Sequence, residues 1–114
     1  MALRKKERLA EAIQAEVSRI ILFELTDPRI GFVTVTGVDL SGDLRSAVVK
    51  VSVLGDEKVQ AVTMNVIRHA RGHVQKLLCE RISTKFVPAV SFEIDDSIKK
   101  SIRLSKALKG IAEK

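Results

Sequence analysis

The chain has 114 residues, 46% hydrophobic and 30% charged, a globular composition long enough for one domain with a modest core and too short for two. Its formal net charge of +6 and pI of about 9.8 favour a polyanionic partner over a neutral one, although a basic surface can also serve solubility alone. No apolar run approaches the roughly 20 residues that cross a bilayer, Glu7, Glu11 and Glu16 argue against a mitochondrial presequence, and the single Cys79 suits a reducing cytosol.

Residues 4–25 place Leu9, Ile13, Val17, Ile20 or Ile21, and Leu25 on one stripe at the spacing of an amphipathic helix. Arg4, Lys5, Lys6 and Arg8 crowd its first turns, where the helix dipole disfavours cations. Either an external anion uses them or the start is a frayed, solvated end. Asp27-Pro28 then stops the helix, because the residue before proline is pushed out of the α region. FVTVTGVDL (32–40) alternates, with Val33 and Val35 on one face and Thr34 and Thr36 on the other. Gly37 breaks the phase in the manner of a bulge, and Val38 and Leu40 take over. After an SGDL turn, SAVVKVSVL (46–54) turns Val49, Val51 and Val53 inward, and the short connection makes the two strands an antiparallel hairpin.

Asp56 is a suitable N-cap for the next helix, whose apolar face is expected to be Val59, Val62, Val66, Ile67 and Ala70. Gly72 interrupts it, yet the same phase continues through Val74, Leu77, Leu78 and Ile82, so the helix is expected to kink there rather than end. Pro88 precedes VSFEID (90–95), in which Val90, Phe92 and Ile94 alternate with polar residues. Asp96 or Ser97 caps a last helix, with Ile98, Ile102, Leu104, Leu108 and Ile111 among Lys99, Lys100, Arg103, Lys106 and Lys109. The order helix, strand, strand, helix–kink–helix, strand, basic helix makes a two-layer α+β domain. Its expected extent is residues 1–104, with 105–114 as a basic tail or the end of the last helix.

Catalytic chemistry is mostly missing. His69 and His73 are four apart, but HARGH lacks the HExxH pattern and no further ligands are evident. Cys79 lies beside the apolar stripe and is expected in the core, where a thiol is inert. No phosphate-binding or dinucleotide glycine pattern occurs. An enzyme is not expected, nor a metal or cofactor. Stacking of bases on a sheet, as in the RRM, needs exposed aromatics. Phe92 faces inward, while Phe23, Phe32 and Phe86 suit the ends of elements, so that route has little support.

The cluster IRHARGHVQKLL (67–78) offers another. Arg68, His69, Arg71, His73 and Lys76 surround a glycine that costs roughly 1 kcal/mol in a helix interior. A glycine at a helix junction admits close approach of a phosphate chain, as the GxxG loop does in KH domains. Gly72 has that structural address but no glycine partner. It serves either as a packing kink with incidental bases or as a point of RNA contact.

The run TDPRIGFVTVTGVDLSGDLRSAVVKVSVLGD (26–56), the Ala70-Arg71-Gly72 kink and FVPAVSFEIDDS (86–97) together resemble the bacterial ribosome-binding factor A family, over about Arg4 to Leu104. The most telling pieces are Asp27-Pro28-Arg29, Asp43-Leu44, Ala47, Ala70-x-Gly72 and Pro88…Phe92…Asp95. The resemblance implies a type II KH-like domain in which Ala-x-Gly replaces GxxG. It also implies a non-enzymatic assembly factor that binds the small ribosomal subunit and its RNA, including precursor RNA, in late maturation and RNA processing, notably in the cold. Such a factor would leave before translation with the help of an assembly GTPase, and would be a cytoplasmic monomer without membrane contact. The residues nominated for RNA are Arg4, Lys5 and Arg8 on the first helix; Arg68, Ala70, Arg71, Gly72, His73 and Lys76 at the kink; and Lys99, Lys100 and Arg103 on the last helix. A general RNA-binding KH-like module and a protein-interaction adaptor remain the alternatives.

Overall fold

Valine-rich alternation in the middle of the chain builds a three-stranded sheet, and the amphipathic segments on either side supply the helices that cover one of its faces. In the computed structural model, described over residues 2–95, α1 spans Ala2–Arg19, β1 Phe32–Leu40, β2 Ser46–Leu54, α2 Glu57–His69, α3 Arg71–Arg81 and β3 Ala89–Ile94. The strand order is β1-β2-β3, with β1 antiparallel and β3 parallel to β2. A parallel neighbour needs a crossover, and α2 with α3 provide it. Asp96, Ser97 and the expected last helix, with Lys99, Lys100 and Arg103, lie outside the described residues.

α1 packs on β1 and on α3, while α2 lies over β2 and β3. Ile13 and Val17 from α1, and Ile20 just after it, meet Ala47, Val49 and Val51 of β2, Ile67 of α2, Val74 and Leu78 of α3, and Val90 and Phe92 of β3 in one buried cluster. The hairpin matches its expected limits. Its register slips between Val35 and Gly37, so Thr36 is the extra residue of the bulge.

The sequence left open whether Ile20 or Ile21 faces inward; the structure buries both. α1 ends in a π turn over Ile20–Glu24, closed by the Leu25 N–H donating to the Ile20 carbonyl at 3.0 Å. A wider turn brings two consecutive isoleucines over the sheet.

α2 is rotated from its expected face. Val66 and Ile67 are buried as expected, but Thr63 and Met64 join them, whereas Val59 and Val62 are each 39% exposed. The cause is polar. The Thr63 hydroxyl accepts the Gly31 N–H at 3.1 Å, and satisfying that backbone group turns Thr63 inward. Asp56 caps the helix as expected, accepting the Val59 N–H at 2.9 Å. Gly55 ahead of it has φ +135°, and a Cβ there would meet Val59 at 2.9 Å, so only glycine fits this entry.

Two further expectations are corrected. The break between α2 and α3 falls at Ala70 (φ −84°, ψ 2°), two residues before Gly72. The Ala70 N–H is shared between the Val66 and Ile67 carbonyls, and its carbonyl accepts from Val74 to begin the new helix. Cys79 is exposed rather than in the core. α3 buries only Val74 and Leu78, and the residue after Leu78 turns about 100° away from that stripe.

Candidate nucleic-acid interface

Ala70 joins two helices that both lean on β3, and the side chains flanking it are tied to that strand. The Ala89 N–H donates to the Arg45 carbonyl and the Asp95 N–H to Val51, so the odd-numbered residues of β3 bond towards β2. Val90 and Phe92 therefore present their backbone groups to the outer edge. Arg71 Nη1 donates to the Val90 carbonyl at 3.3 Å, and Arg68 Nη2 lies 3.5 Å from the Phe92 carbonyl. A guanidinium carries five N–H donors, so these contacts orient each side chain while leaving most donors available. An exposed sheet edge invites wrong pairing, and these side chains cover it.

His73 and Lys76 complete the cluster from the first turns of α3, both exposed. His69 is exposed at the end of α2, where its Nδ1 donates to the Asn65 carbonyl at 2.8 Å. Gly72 faces open space, with nothing within 4 Å of a Cβ placed there, and it is not among the glycines of positive φ. It is thus neither a left-handed hinge nor a packing requirement. No side chain caps the N-terminus of α3, where first-turn amides lack intrahelical partners and favour anions. Cations, uncapped amides and an unobstructed backbone coincide at one junction.

The remaining nominees are elsewhere. Arg4, Lys5 and Arg8 are exposed on the first turns of α1, and Lys5 and Arg8 line a separate groove. Lys99, Lys100 and Arg103 lie outside the described residues. Arg29, part of the Asp27-Pro28-Arg29 signature, is not free: its guanidinium grips Asp27 at 3.0 and 2.6 Å. These bonds, with the Arg29 N–H, pull the Asp27 carboxyl down to about 2 and raise Arg29. Among the described residues no group of three or more His, Cys, Asp or Glu could hold a metal ion, and no helix is long and apolar enough to cross a membrane.

Sequence reasoning missed Gln75. Its Oε1 accepts the Val90 N–H at 2.8 Å and its Nε2 donates to the Pro88 carbonyl at 3.0 Å, locking β3 to α3 beside the two arginines. A polar residue within an apolar stripe, one turn after the kink, was the available signal.

The fold agrees with comparison to known proteins. The sequence model of ribosome-binding factor A matches residues 5–108. A ribosome-binding factor A from Halothermothrix orenii is 43% identical over 113 residues, 99% of this chain and 93% of that one. The crystal structure of ribosome-binding factor A from Thermus thermophilus superposes with a TM-score of 0.68 at 24% identity, covering 78% of this chain and 94% of that one. A homology model of the Thermus thermophilus factor, as fitted into a cryo-EM map of a 30S–RbfA complex, gives 0.58 at 23% identity, covering 80% of this chain and 91% of that one. The three-stranded sheet, the broken helix pair behind it and the match along nearly the whole sequence place this chain in the ribosome-binding factor A family.

Proposed function

We propose that the protein binds the small ribosomal subunit through phosphates of its RNA, using the α2–α3 junction as the principal contact. The observation that carries this reading is the coincidence at Ala70–Gly72 of an open backbone, uncapped amides and Arg68, Arg71, His73 and Lys76. Phosphate recognition needs only such donors, and structured RNA is read largely through shape and backbone. The 30S-bound relative supports the choice of subunit.

The family also supports a non-enzymatic role in late maturation of that subunit and processing of its RNA, in the cytoplasm and as a monomer, with particular demand in the cold. Release before translation, helped by an assembly GTPase, belongs to the same reading. Co-sedimentation with purified small subunits at two salt concentrations tests it. Binding that weakens with salt supports phosphate contact. Sedimentation with free RNA but not with subunits would favour a general RNA-binding module instead.

A further inference from the structure

Lys5 and Arg8 line an open groove of about 1080 Å³ between the first turns of α1, the β1–β2 turn and the segment joining α3 to β3. Arg45 of the turn and Lys85 of the joining segment add two more cations. None of these four is in an ion pair among the described residues. The carboxylates in the lining are already engaged. Glu16 pairs with Arg19 at 3.0 Å and lies 3.9 Å from Arg81. Asp43 accepts the Ser41 hydroxyl at 2.7 Å and the Arg45 N–H at 3.1 Å. With Arg81, five cations face two carboxylates along the lining, so the groove is net positive.

It also has an aromatic wall. Phe86 keeps 76% of its surface exposed, with the Lys85 ammonium 5.7 Å from the ring centre. Leu9, Leu44 and Ile82 make the neighbouring surface apolar. The segment bearing Phe86 is anchored just beyond it: Pro88 is buried, and the Ala89 N–H donates to the Arg45 carbonyl at 2.9 Å. The ring is therefore held near the cations rather than carried on a loose end. A flat apolar face beside several unpaired cations matches an unpaired nucleotide, whose base stacks while its phosphates are neutralised. An acidic peptide would use the cations and leave the ring idle.

We propose that this groove binds single-stranded RNA, with a base stacked on Phe86 and flanking phosphates held by Lys5, Arg8, Arg45 and Lys85. The inference rests on the RNA-binding reading above but uses none of the residues at the α2–α3 junction. It gives the protein a second contact, for an unpaired strand, alongside one that recognises structured RNA.

The test is fluorescence anisotropy of an end-labelled, unstructured ten-nucleotide RNA with the full chain at low salt. Phe86→Ala and Phe86→Leu should each weaken binding by roughly 5- to 150-fold, whereas Phe86→Tyr should retain it. Because the side chain is exposed, circular dichroism should be unchanged in all three. Wild-type affinity in Phe86→Leu would overturn stacking, and no binding of the oligonucleotide by the wild-type chain would overturn the groove. Small-subunit co-sedimentation of Arg71→Gln/Lys76→Gln separates the two readings. Loss of subunit binding with intact oligonucleotide affinity supports an independent groove. Parallel loss of oligonucleotide affinity would show the strand bound at the junction, against the proposal.

Discussion

Gln75 Oε1 accepts the Val90 N–H at 2.8 Å, which closes the outer edge of β3 with a side chain from the helix that follows the kink. The same amide donates to the Pro88 carbonyl at 3.0 Å, so one residue satisfies a backbone group of the edge strand and another just before it. Gln75→Ala should therefore lower unfolding free energy by about 1–3 kcal/mol, since a half-buried N–H and carbonyl lose their partners. Gln75→Glu keeps the acceptor and loses the donor, and should fall between. Urea unfolding of the two variants checks the order; an unchanged midpoint for Gln75→Ala would show that β3 is held by other means.

The Thr63 hydroxyl is the comparable device on α2. It is fully buried and accepts the Gly31 N–H at 3.1 Å. Thr63→Val has nearly the same shape but leaves that N–H without an acceptor, at a cost of about 1–3 kcal/mol. Thermal unfolding should show a lower midpoint. A more stable Thr63→Val would mean that hydrophobic gain outweighs the bond.

Those two residues also mark where the sequence was readable and where it was not. β2 could be delimited from its alternation alone, because a half-buried strand writes its face into every second residue. The Gly37 bulge and the Asp56 cap were legible for the same reason, each being a local backbone requirement. The inward turn of Thr63 was not, because its partner Gly31 is 32 residues away. The π turn after Arg19 likewise reflects two isoleucines competing for one core, which periodicity can only leave undecided. At the candidate site the basic cluster was plain. The anchoring of Arg68 and Arg71 on β3 carbonyls was hidden by the distance along the chain to Val90 and Phe92. The prominence of Phe86 was missed because an aromatic at the end of an element gives no sign of its exposure.

Gly72 offers a clean separation of folding from binding. With open space around it and no positive φ, Gly72→Ala should be neutral or stabilise by up to about 1 kcal/mol. Gly72→Val should fold as well, yet the added bulk should weaken subunit binding if phosphates approach the backbone there. Melting and co-sedimentation on the same two proteins decide it: a stably folded Gly72→Val with full binding would remove the backbone from the contact.

The Asp27–Arg29 pair carries a pH signature. Arg29 hydrogen bonds pull the Asp27 carboxyl from the ordinary 3.8 to about 2. A depressed carboxylate favours the folded state in full above its unfolded value, and that contribution fades as pH falls from about 4 towards 2. Carbon-13 NMR of the Asp27 carboxyl should titrate near 2 in the wild type and move towards 3.8 in Arg29→Gln. A wild-type midpoint already at 3.8 would show the pair is not held in solution.

Phosphate contact at the α2–α3 junction is tested most directly by the salt dependence of small-subunit binding for Arg71→Gln/Lys76→Gln. Glutamine at 71 retains a donor for the neighbouring strand, so circular dichroism should match the wild type. Each phosphate that the variant no longer neutralises should reduce the slope of log affinity against log salt by roughly 0.7–0.9. Binding of the double variant should be weaker at low salt, with a slope shallower by up to about twice that amount. An unchanged affinity and an unchanged slope in the folded double variant would contradict phosphate contact at the junction.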